Sequence, residues 1–104
     1  MKIPDNFTRN GYKYSLLHTD IVDNSIAFAI YEQKKRSKVY AYEVHKLRYK
    51  PRTIATKTDR VGDMHWKQPC NEDWGTYGWT LGDYDSAMEY VTFKKKAYLQ
   101  NKKE

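Results

Sequence analysis

Residues 25–32 read SIAFAIYE, and this stretch decides the fold class. Ile26, Phe28 and Ile30 alternate with Ala27, Ala29 and Tyr31, the period of two that a β-strand imposes on its side chains. Large residues on one face and mostly small ones on the other describe a central strand covered on at least one side.

Working outward, Asp23-Asn24-Ser25 is a turn cluster, and residues 12–18 read as a strand with Tyr12, Tyr14 and Leu16 on one face. Asn10-Gly11 is a turn signal, since both residues tolerate positive φ. Residues 1–10 read as a lead-in that Ile3 and Phe7 anchor to the body. Downstream, residues 33–38 (QKKRSK) form a polar connection of hairpin length. Residues 39–49 make a long third strand, ended by Pro51, which lacks the N–H that pairing needs. Tyr40, Tyr42, Val44, Lys46, Arg48 and Lys50 share one of its faces. Val39, Ala41, Glu43, His45 and Leu47 share the other.

Residues 52–73 form a long loop or a second hairpin, with residues 54–58 and 64–68 as short strands around DRVGD. In residues 71–81 (NEDWGTYGWTL), Gly75 and Gly78 permit tight turns while Trp74, Tyr77 and Trp79 cover the core. Residues 79–81 end the sheet. A helix follows, with Asp83 as N-cap and Asp85 in the first turn, where negative charge suits the helix dipole. Ala87, Val91, Lys94 and Tyr98 recur at helical spacing. The helix frays near Gln100, and residues 100–104 are a tail. The expected architecture is α+β: an antiparallel sheet of three to five strands with one C-terminal helix packed on one face.

The 104 residues suit a single domain spanning residues 1–104, with one core's worth of apolar surface. Aromatic residues make up 15% of the chain, ten of them Tyr, which excludes a disordered class. A net charge of +6 favours polyanions or acidic proteins as partners. The single Cys70 fits a reducing compartment, residues 1–5 lack a secretory h-region, and the longest apolar run is too short for a bilayer. These features point to a cytoplasmic protein with no membrane partner.

No catalytic constellation is present: no phosphate loop, no nucleophile elbow, no paired histidines on a helix. His18, His45 and His65 fall on different elements, and His65 with Cys70 lacks two further metal ligands, so neither cofactor nor metal is expected. Glu72, Asp73, Asp83 and Asp85 are accounted for by turns and capping. The candidate binding feature is the basic stripe of Lys46, Arg48, Lys50 and Arg52, with Tyr40 and Tyr42 further along it. The same pattern also describes a strand whose aromatic part lies under a helix and whose cations are solvated. Trp66, in the polar context MHWKQP, reads as an exposed ring that forms a protein-binding loop with Arg60 and Lys67, or else as a lid on the core.

Several segments together resemble small proteins of tailed bacteriophages and prophages: IPDNFTRNGYKY (residues 3–14), AIYEQ (29–33), AYEVHKLR (41–48) and NEDWGTYGWTL (71–81), followed by an amphipathic helix. The resemblance spans most of the chain except residues 52–68 and carries no catalytic residues. It implies a phage setting, with expression in the host bacterial cytoplasm and action on a host or phage macromolecule. With no catalytic constellation in the chain, the expectation is a non-enzymatic phage accessory protein. Such a protein would bind and modulate or inhibit a host macromolecule, in host takeover or anti-defence. The expected partner is a host or phage protein with an acidic surface; DNA or RNA on the same stripe, and a minor virion or assembly role, are the alternatives.

Overall fold

The computed structural model describes residues 3–57 and 59–103. Its elements in chain order are β1 (Asn6–Arg9), β2 (Tyr12–Ile21), β3 (Ile26–Lys35), β4 (Lys38–Pro51), β5 (Met64–Lys67), β6 (Gly78–Leu81) and α1 (Tyr84–Lys103), with a 3-10 turn at Asn71–Asp73. All strand pairs are antiparallel. The sheet runs β1-β2-β3-β4, and the far edge of β4 carries two strands: β6 along Tyr42–His45 and β5 along Arg48–Pro51. This is the α+β arrangement expected from the alternation, with the helix on one face.

Turn chemistry sets the register. Asn10 and Gly11 sit at φ 53° and 82° and join β1 to β2 as a two-residue hairpin. Arg36 and Ser37, at φ 52° and 64°, do the same between β3 and β4. Between β2 and β3, the Asp23 carboxylate accepts the N–H groups of Ser25 and Ile26, both at 2.9 Å.

The strand that decides the fold is buried on both faces. Ile26, Phe28 and Ile30 pack with Val44 and with Ala87 and Val91 of α1. Ala27, Ala29 and Tyr31 pack with Ile3, Tyr14 and Leu47, where small side chains leave room for rings. Phe7 stacks on Tyr14 at 4.7 Å and meets Tyr31 edge-on at 5.0 Å. The Tyr31 hydroxyl donates to the Pro4 carbonyl at 2.8 Å. These contacts make a strand of residues 6–9, where a lead-in was expected.

Two further expectations change. Residues 54–57 are not a strand: Thr56 and Asp59 close a local turn on each other, and Thr58 lies outside the described residues. Helix α1 does not fray at Gln100 but continues to Lys103. Two clamps hold its second half: Lys95 to Asp20 at 3.0 Å, and the Tyr98 hydroxyl donating to Asp23 at 2.9 Å. The expected tail residue Glu104 lies outside the described residues. Asp83 caps the helix as expected, accepting the Ser86 N–H at 2.7 Å. No described helix is long and apolar enough to cross a membrane.

Candidate functional site

Alternation along β4 puts Lys46, Arg48 and Lys50 on the face that holds Val44 and α1. Antiparallel pairing with β5 sets Lys67 opposite Arg48 and His65 opposite Lys50. Pairing thus widens the expected single-file stripe into a two-strand cationic face. Lys94 of α1 extends it.

Lys50 is exposed to solvent, whereas Lys46, Arg48 and Lys94 pack against rings. Lys46 is half-buried, its Nζ 5.1 Å from the Tyr98 ring and 5.8 Å from Tyr77. Burial pushes its pKa down, and the neighbouring charges of Lys94 and Arg48 push it further the same way. The Arg48 guanidinium stacks 3.7 Å from the Tyr77 ring centre. The Lys94 ammonium lies 4.8 Å from the Trp79 ring.

The carboxylate that faces this group is Asp73. It is 3.5 Å from Arg48, and the Cys70 backbone N–H, with help from Arg48 and Lys67, holds its carboxyl below the usual range. Among the described residues, no carboxylate pairs with Lys46, Lys50, Lys67 or Lys94. Arg52 lies past the end of β4 and pairs with Asp59 at 3.0 Å. Beside it, Lys50, Arg52, His65 and Lys67 line a cavity of about 230 Å³.

Other expected site residues disperse. Tyr42 lies under the helix with its ring 6.1 Å from Tyr84. Tyr40 is the extra residue of a β-bulge, skipped between the pairs Gln33–Ala41 and Lys34–Val39, and it meets Tyr12 at 5.7 Å. Neither ring stands beside the cations as a stacking platform. Trp66 is half-buried on β5 rather than exposed in a loop; it packs on the Tyr31 core with its ring 5.0 Å from Tyr49, as a lid does. Arg60 sits in a turn closed by its own N–H to the Asp63 carboxylate. The expected trio of Arg60, Trp66 and Lys67 is therefore split, with Trp66 and Lys67 on opposite faces of β5.

The other face of β4 carries a group that the sequence reading passed over. Glu43 and His45 are 6% and 0% exposed. His45 Nε2 is 3.0 Å from Glu43 Oε1. The Tyr14 hydroxyl donates to Glu43 Oε2 at 3.2 Å, and the Gln33 amide donates to Tyr14 at 2.9 Å. Rings of Phe7, Tyr31 and Trp74 surround the imidazole. Its Nδ1 is buried and finds no hydrogen-bond partner among the described residues, which fits a neutral ring that donates from Nε2 and leaves Nδ1 as a bare lone pair. Burial holds the His45 pKa below its usual value, although Glu43 pulls the other way. Burial, helped by Glu43, likewise raises the Tyr14 phenol. The signal lay in the alternation: Glu43 and His45 fall in phase with Ala41 and Leu47, on an apolar face.

Among the described residues, no three His, Cys, Asp or Glu side chains are grouped to hold a metal. No protein-family model, no curated protein and no solved structure matches this chain.

Proposed function

We propose that the protein is a non-enzymatic binding module that seats an acidic protein surface on the cationic face of β4, β5 and α1. One observation carries this reading: like charges are placed against one another, Arg48 opposite Lys67 in register and Lys46 beside Lys94 and Arg48. Like charges directly opposite in a sheet weaken it. Asp73 answers only part of that charge, so a partner's carboxylates would relieve the rest. In this reading the partner is a host macromolecule that is modulated or inhibited, and the protein acts in the bacterial cytoplasm, in keeping with the phage setting that the resemblance implies. Stacked single-stranded nucleic acid is less favoured, because Tyr40 and Tyr42 stand away from the cations.

Capture from bacterial lysate tests the reading. The wild type should retain a nuclease-resistant protein at low salt, and Lys50→Glu/Lys67→Glu should lose it through slower association. Retention of the same protein by the double variant would remove the cationic face from the argument. Capture abolished by nuclease would transfer the face to nucleic acid.

A further inference from the structure

On the opposite face of β4, a second cavity of about 270 Å³ opens over Glu43, lined also by Arg9, Tyr12, Tyr14, Gln33 and Trp74. Its deepest groups are Glu43 and Tyr14, 6% and 4% exposed. A carboxylate removed from water in a domain of 104 residues is costly unless it is paired and hydrogen-bonded. Each Glu43 oxygen accepts one internal hydrogen bond, from His45 or Tyr14. A carboxylate has about four lone-pair sites, so acceptor capacity is left over for a donor in the cavity.

Arg9 supplies the opposite charge. The Asn10-Gly11 turn holds it on one wall, with its guanidinium 5.3 Å from the Phe7 ring. Arg9 is near enough to act on both Tyr14 and His45, yet among the described residues it forms no ion pair with Glu43. Two opposite charges thus line one cavity without collapsing onto each other. A ligand complementary to that arrangement carries a cation and an anion as two separate groups of one small molecule. The Trp74 and Tyr12 rings give it apolar wall. At about 270 Å³ the cavity lies near the lower end of small-molecule sites, with room for a compact metabolite.

We propose that this cavity binds a free α-amino acid, its ammonium on Glu43 and its carboxylate on Arg9. His45 positions Glu43 by donating from Nε2, and Gln33 does the same for Tyr14. The site is independent of the cationic face, since the two open on opposite sides of β4.

The test is a titration of ¹⁵N-labelled protein with single L-amino acids, read at the Trp74 indole N–H, the Gln33 side-chain amide and the Asn10 backbone amide. At least one amino acid should shift all three saturably. Its methyl ester, which lacks the anion, and its N-acetyl derivative, which lacks the cation, should each bind about tenfold more weakly or worse. Arg9→Gln and Glu43→Gln should each weaken binding by a similar factor. Arg9 is half-buried and, among the described residues, forms no ion pair, so its variant decides the matter if Glu43→Gln does not fold. The proposal is overturned if no amino acid shifts these signals up to about 10 mM. It is equally overturned if the ester or the N-acetyl derivative binds as well as the parent, or if Arg9→Gln binds like wild type.

Discussion

His45 shows how one buried side chain can set the acid stability of the whole protein. The imidazole is fully enclosed and burial disfavours its cation, while Glu43 favours it less strongly. The unfolded chain therefore takes up a proton that the folded chain refuses. Stability should be level above the usual histidine value of 6.5 and fall as pH drops below it towards the lowered folded value. His45→Gln keeps a donor for Glu43 but cannot titrate. In urea unfolding between about pH 7 and 5 it should show a shallower fall than wild type. An equal fall in both proteins would mean that other groups cause it. At the same site, Glu43→Leu strips the acceptor from Tyr14 and His45 together. It should cost about 1–3 kcal/mol for each donor left unpaired. The sequence displayed this pair openly, as polar residues in phase with Ala41 and Leu47. What hid it was the louder signal of the cations at the alternate positions. Trp66 misled for a related reason. In a strand the residues on either side point away, so the polar neighbours His65 and Lys67 say nothing about where the indole goes. Trp66→Ala and Trp79→Ala should accordingly destabilise by similar amounts, about 2–3 kcal/mol each, below the range for fully buried rings. Chemical denaturation of the two variants measures this.

At the scale of elements, legibility followed the strength of local pattern. Strand β3 and helix α1 have long runs of matching period and could be read directly. Strand β1 has four residues, too few for a period to stand out, and Phe7 on Tyr14 holds it. Strand β5, equally short, was legible only as one of two alternatives for residues 64–68, and Trp66 on Tyr49 holds it. The helix end was misplaced for the same reason, because its second half is pinned by Asp20 and Asp23, which lie 75 residues earlier in the chain. Removing a pin restores the local behaviour. In Tyr98→Phe, amide hydrogen exchange should quicken over the last two turns of α1 and leave the first turn unchanged. The first turn answers to Asp83 instead. The Ser86 backbone N–H, then its hydroxyl, holds the Asp83 carboxyl below the usual range. The cap therefore contributes fully above the ordinary carboxylate range and is lost as pH falls through the lowered value. Asp83→Ala should lower the thermal midpoint at neutral pH, and the difference from wild type should shrink in acid.

At the scale of the molecule, one sheet serves two cores, and β3 belongs to both. Phe28 is fully buried on the helix side, Tyr31 on the other. Phe28→Ala should cost about 3–5 kcal/mol, a large fraction of what a domain of this size holds. Because β3 is shared, loss of fluorescence and loss of helical circular dichroism should coincide in that variant as in wild type. Separate transitions would show that the two cores fold independently. The β3–β4 turn has a different bearing. Arg36 and Ser37 both hold positive φ, a conformation that non-glycine residues adopt at a cost of about 1–3 kcal/mol each. Evolution or an engineer thus has slack to take up there. Arg36→Asn/Ser37→Gly installs the pair that such a hairpin prefers and should raise stability by about 1 kcal/mol. The turn contributes no lining to the cavity over Glu43 and no cation opposite β5. A chain tightened there would tolerate damage at either face, so a weakened ligand or a missing partner could be told apart from a molecule that had merely come undone.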